Sequence, residues 1–105
     1  MADLTFTEAA LDDLADIWRY TFDTWGADQA DAYIRDLERC CAEVATGNAT
    51  IRAISDTKPG VRFRRCRHHY LFFLMERQSV IVIAVLHERM DLLARLEGRH
   101  SGDPA

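Results

Sequence analysis

The sequence predicts an α+β fold of order β-α-α-β-β-β, an α-helical hairpin packed on one face of a small antiparallel sheet, closed by a short C-terminal helix or tail. Three observations carry this. Apolar residues recur at three- and four-residue spacing from Leu11 to Val44, interrupted only around Gly26. From Val61 the period drops to two. The chain has 105 residues, enough for one core and not two, so residues 1–97 are expected as a single domain and 98–105 as a flexible tail.

Leu4 and Phe6 alternate across Asp3–Phe6, which suits a short strand. Thr7 can cap the helix that follows, with Glu8 beside the positive end of its dipole. Leu11, Leu14, Ile17/Trp18, Phe22 and Trp25 draw one stripe, with Asp12, Asp13, Asp16, Arg19 and Asp23 on the other side. Gly26 stops this helix. Ala27 or Asp28 opens the next, whose stripe runs through Ala30, Tyr33/Ile34, Leu37, Cys40/Cys41 and Val44 to a stop at Gly47. Two amphipathic helices joined this tightly must fold back on each other. Asn48–Gly60 is expected as a loop, with Lys58-Pro59-Gly60 as a turn. Val61–Arg65 alternates apolar and cationic residues, and His69–Glu76 and Ser79–His87 are apolar on both faces, joined by a turn at Glu76–Ser79. Met90, Leu93 and Leu96 suggest a short terminal helix.

One helical hairpin covers one sheet face. Val80–Leu86 is apolar at every position, so the second face is expected to stay partly uncovered and to receive a partner. No apolar run approaches the roughly 18 residues of a membrane helix, and Met1–Leu4 carries no basic or apolar leader, so a cytoplasmic location without membrane contact is expected. Three cysteines, two of them adjacent, fit reduced thiols packed as small hydrophobes better than a disulfide scaffold. The acidic residues of the first half lack metal-loop spacing, and no cofactor is expected.

The net charge of −4 hides two halves of opposite sign. Residues 1–57 hold twelve acidic and four basic side chains; residues 58–105 hold nine basic and five acidic ones. Twelve of the thirteen cations are arginine, whose planar fork suits carboxylate or phosphate. The second half therefore looks built to meet an acidic partner, a nucleic acid or an acidic peptide.

Several motifs in order resemble the ParE branch of the RelE/ParE toxin superfamily. They are Ala10…Asp13-Leu14…Ile17-Trp18…Tyr20, Trp25-Gly26…Ala30…Tyr33…Leu37, Gly60-Val61-Arg62, His69-Tyr70 and the closing Ile83…Val85-Leu86-His87-Glu88-Arg89-Met90-Asp91. The resemblance spans about residues 3–97. It implies the toxin of a type II toxin–antitoxin system that inhibits DNA gyrase, is bound directly by a ParD-like antitoxin in a hetero-oligomer, and touches DNA only through that antitoxin or gyrase. An antitoxin segment that orders on binding would set apolar side chains on the sheet and carboxylates against arginine.

On this reading Trp18, Tyr20, Arg62, Arg64, Arg65, Arg67, Tyr70 and Phe72 are candidate antitoxin contacts, and Arg89, Met90 and Asp91 candidate target contacts. Each has a plainer alternative. In an exposed strand Arg62 and Arg64 point one way and Arg65 and Arg67 the other, which also describes a solvated edge that blocks aggregation, or a phosphate-binding edge. Trp18, Phe22 and Trp25 also fit core packing. Arg89 and Asp91 also fit closure of the fold. The RelE branch cleaves messenger RNA on the ribosome, and His87, Glu88, Arg62 and Arg65 supply the residue types for a base, an acid and phosphorane stabilisation. His87 equally fits a hydrogen-bonded strand end.

Overall fold

The computed structural model describes residues 2–53, 60–97 and 99. Its elements are β1 (Asp3–Phe6), α1 (Glu8–Trp25), α2 (Ala27–Ala45), β2 (Arg52–Ala53), β3 (Val61–Cys66), β4 (His69–Met75), β5 (Ser79–His87) and α3 (Leu92–Leu96). Five strands form one sheet in the order β1-β5-β4-β3-β2. The β3-β4-β5 meander is antiparallel as expected. β1 departs from the expectation. It pairs parallel to β5, Leu4 opposite Val80 and Phe6 opposite Val82, so the sheet is mixed. Its partner is the last strand rather than the next one, and the hairpin logic of adjacent strands does not apply to it. β2 is an addition to the expected order. Two residues carry no period, and Arg52 and Ala53 are strand only because they pair with Phe63 and Arg62. The rest of the expected Lys58-Pro59-Gly60 turn and most of the tail lie outside the described residues.

Thr7 caps α1 as the sequence implies: its Oγ1 accepts from the Ala10 N–H at 3.1 Å. Gly26 joins the two helices at φ 93°, a left-handed conformation that a side chain would strain. The hairpin packs Ala10, Leu37, Cys41 and Val44 against Leu71, Phe73, Val80, Val82 and Val85 of the sheet. A register shift between Phe72 and Phe73 sets Phe72 opposite Ala84 and Phe73 opposite Val82. The extra residue moves Val85 onto the helix side and Leu86 onto the other.

The second sheet face is closed, contrary to the expectation. Val61, Phe72, Ile81, Ile83 and Leu86 are all buried. Leu92 and Leu96 of α3 pack on them, and Phe63, Tyr70 and Leu74 complete the layer. Asp91 sets the phase of α3, its Oδ1 accepting from the Ala94 N–H at 3.3 Å. That start puts Leu92 and Leu96, four apart, on the sheet and leaves Leu93 exposed, one position out of phase with the predicted stripe. One short helix suffices because the aromatic rings of Phe63, Tyr70 and Phe72 lie against each other across the face, with centroids 5.9 to 6.5 Å apart.

The cysteine expectation is also corrected. Cys40 of α2 and Cys66 of β3 form a disulfide, Cα atoms 6.5 Å apart, and Cys41 is free and buried. Adjacency argues against a Cys40–Cys41 bond, but the pairing with Cys66 depends on α2 crossing the end of β3, which spacing does not reveal. Burial pushes the Cys41 thiol up to about 12.

A third departure concerns Asp13, which the helical stripe places among solvated side chains. β1 covers the outer edge of β5 only as far as Val82. Beyond it the edge is satisfied by side chains: Thr7 Oγ1 donates to the Ile83 carbonyl at 3.4 Å, and Asp13 Oδ2 accepts from the Val85 N–H at 2.9 Å. Arg99, from the stretch expected as a tail, pairs with both oxygens of Asp13. α1 thus substitutes for the missing strand.

Candidate functional site

Between α1 and the end of β5 runs a groove of about 880 Å³. Ile17 and Tyr20 of α1, Trp25 at its end and Tyr33 of α2 form one wall. Arg67 and His68 of the β3–β4 turn, His87, Arg89, Met90 and Arg95 form the other. Tyr20 and Trp25 are 71% and 70% exposed, and Met90 is 40% exposed. Their side chains gather along one groove rather than lying scattered over the surface. Among the described residues Arg95 has no ion pair, and Arg89 is engaged only through its backbone N–H. The groove therefore offers aromatic and thioether surface beside two available guanidinium groups.

One end is fixed by a histidine junction. Tyr33 Oη accepts from the His68 N–H at 3.2 Å and lies 2.7 Å from His69 Nδ1. The Tyr33 hydroxyl thus ties the β3–β4 turn to His69, with the direction of its bond to Nδ1 set by the His69 tautomer. His69 stacks edge-on to His87 at 5.1 Å. Burial, then the neighbouring His87 and His68, lower the pKa of His69 to about 4. Burial also raises the pKa of Tyr33. Desolvation acts to raise Glu88, but the His68 hydrogen bond and the Arg65 charge outweigh it and hold its carboxyl below the ordinary range. His87 Nδ1 accepts from the Arg89 N–H at 3.1 Å, so His87 is a strand-end residue that shapes the turn carrying Arg89 and Met90.

The candidate antitoxin contacts fall in different places. Tyr20 and Arg67 lie in the groove. Arg67 does not follow the alternation of its strand: at φ 57° it turns to the helix side, pairs with Asp36 and places its guanidinium 4.8 Å from the Tyr33 ring centre. Arg64 is held by the Cys40 carbonyl and Glu43, both at 2.8 Å. Arg65 pairs with Glu88 and donates to the Arg67 carbonyl. Arg62 lies at the far end of β3, paired in register with Phe73. Tyr70 is half-buried, and Phe72 is 1% exposed and presents no surface. Trp18 lies on the outer side of the hairpin, its indole N–H donating to Asp31 at 2.9 Å.

Of the target candidates, Arg89 and Met90 reach the groove while Asp91 caps α3. Of the alternative catalytic set, Arg65 and Glu88 are ion-paired beside His87, whereas Arg62, paired in register with Phe73, lies towards the other end of β4. No group of acidic, histidine or cysteine side chains suited to a metal occurs among the described residues. Arg95 is a groove residue that the sequence does not single out, and Trp25, expected to pack in the core, instead stands 70% exposed in the groove because α1 ends there beyond the cover of the sheet. Trp25 fits the helical stripe, and Arg95 joins the groove only through the fold of the terminal helix.

Residues 4–92 match the family described as the ParE toxin of the type II toxin–antitoxin system parDE. The chain belongs to the ParE toxin family. It is 42% identical over 103 residues to Toxin ParE of Escherichia coli, covering 97% of this chain and 100% of that one. It is 38% identical over 85 residues to Toxin ParE1 of Mycobacterium tuberculosis, covering 80% and 87%. Toxin ParE1 of Caulobacter vibrioides is 33% identical over 86 residues, covering 80% and 86%. In fold it is similar to a chain of the chromosomal ParDE toxin–antitoxin system from P. aeruginosa, with a TM-score of 0.70 at 19% identity, covering 83% of this chain and 96% of that one. This ParE-family chain is the toxin component of a type II toxin–antitoxin system. Among its described residues no helix is long and apolar enough to cross a membrane.

Proposed function

We propose that this ParE-family toxin arrests growth in the cytoplasm by inhibiting DNA gyrase, and that a ParD-like antitoxin neutralises it by ordering an acidic segment in the groove. The observation that supports this reading is the groove itself, where exposed Tyr20 and Trp25 lie beside Arg89 and Arg95. Apolar side chains of the antitoxin cover the rings, and its carboxylates take the guanidinium groups. Arg89 and Met90 also face gyrase, so an antitoxin lying over them blocks the target by occlusion. The toxin performs no chemistry: it acts by occupying a surface of gyrase. DNA is met only through gyrase or the antitoxin.

The test is a supercoiling assay with purified toxin, gyrase and relaxed plasmid. Dose-dependent loss of supercoiling or accumulation of cleaved DNA, both reversed by equimolar antitoxin, is the expected result. Normal supercoiling with a folded toxin would refute the gyrase reading, and inhibition that antitoxin leaves untouched would refute the occlusion.

A further inference from the structure

The helical hairpin carries a second surface, on the side away from the groove. Leu11, Ala15, Trp18 and Phe22 follow one another along α1 at spacings of four, three and four, the period of a helix-pairing seam. The core-facing residues of α1, Ala10, Leu14, Ile17 and Thr21, form a separate row beside them. Leu11 is 45% and Phe22 44% exposed, and the Phe22 ring stacks on Trp18 with centroids 5.0 Å apart. Asp31 accepts from the Trp18 indole N–H, which orients the ring on the ridge. It spans about 16 Å of helix, three turns.

The charge around it names the occupant. Residues 8–45 carry ten acidic and three basic side chains. Asp13, Asp36 and Glu43 are neutralised by arginines on the sheet side. The remaining acids stay in solvent, and by helical spacing Glu8 and Asp12 of α1 and Asp31 and Glu38 of α2 frame the ridge against Arg19 and Arg35. A second copy of this chain would bring the same excess of negative charge against it, and an acidic segment suited to the groove is repelled here.

We propose that the outer face of the hairpin docks an amphipathic helix whose apolar stripe is flanked by lysine or arginine, on a protein other than the antitoxin segment that fills the groove. The two faces have opposite charge and do not overlap, so both partners bind one toxin molecule together.

The full chain in a Trp25→Phe background leaves Trp18 as its single tryptophan and a local reporter. Two synthetic 18-residue peptides share leucines at the seam spacing; one carries lysine at the flanks and the other glutamate. The lysine peptide is expected to shift Trp18 emission saturably at 1:1 and to bind at least tenfold tighter than the glutamate peptide. Phe22→Ser is expected to weaken it at least tenfold with an unchanged circular-dichroism spectrum, and Asp12→Lys with Glu38→Lys to reverse the preference. Equal binding of both peptides, no binding to the folded chain, or lysine-peptide binding indifferent to Phe22→Ser would overturn the proposal. A concentration-dependent dimer abolished by Phe22→Ser would overturn it in favour of a second copy.

Discussion

Asp13→Ala isolates the side-chain cover of the β5 edge. The Asp13 carboxylate is 14% exposed and its partner guanidinium 22%. Removing it leaves the Val85 N–H without an acceptor and Arg99 without its counter-charge. An orphaned buried N–H costs about 1–3 kcal/mol. Losing one partner of a fully buried ion pair costs about 3–5 kcal/mol, and the partial exposure here reduces that share. The total comes to about 2–4 kcal/mol, or roughly 8–15 °C in Tm for a domain of this size. Urea unfolding followed by circular dichroism measures it. Asp13→Asn should fall between, since its amide oxygen still accepts from Val85. Asp12→Ala, one residue away in solvent, should stay within about 0.5 kcal/mol of the parent chain. An Asp13→Ala value inside that same margin would refute the claim that α1 completes the sheet.

Trp25→Ala should weaken antitoxin binding at least tenfold by calorimetry with little change in Tm, because the ring is mostly in water when the toxin is free. Phe72→Ala should do the reverse, costing about 3–5 kcal/mol of stability and affecting binding only through the fraction unfolded. His69 is buried neutral with a pKa of about 4 in the folded chain, against 6.5 for an unperturbed histidine. Its contribution is complete above pH 6.5 and is lost as pH falls towards 4, where protons favour the unfolded chain. Unfolding titrations over that range should lose part of their slope in His69→Gln. The Cys40–Cys66 bond closes a loop of 26 residues, which in the chain-entropy account contributes about 3.5 kcal/mol. Dithiothreitol should lower the Tm of the parent chain and leave Cys40→Ala unchanged.

The two helices, their glycine junction and the three-strand meander are legible because each expresses its own period over many residues. Features made by elements meeting at a distance are not. Asp13 sits beside the helical stripe and looks solvated until β1 is seen to stop at Val82. Arg67 follows its strand until a left-handed turn swings it to the helices. The sequence locates the second apolar face but understates its cover, because five residues of α3 with two inward leucines and a layer of aromatic rings close more area than their number suggests. In the groove, Tyr20, Arg67, Arg89 and Met90 can be named from the sequence, whereas Trp25 and Arg95 need the fold.

The position of β5 has a consequence for synthesis on the ribosome. It is made after the other four strands, yet it lies between β1 and β4. Until it leaves the exit tunnel, β1 has no strand to pair with and the helical hairpin has no complete sheet to rest on. A nascent chain ending at Met75 therefore holds both long helices but cannot assemble the groove, whose far wall needs His87, Arg89, Met90 and Arg95. The groove is therefore expected to form abruptly once β5 and the residues after it have emerged, and truncation anywhere before His87 should abolish antitoxin binding and any toxicity altogether.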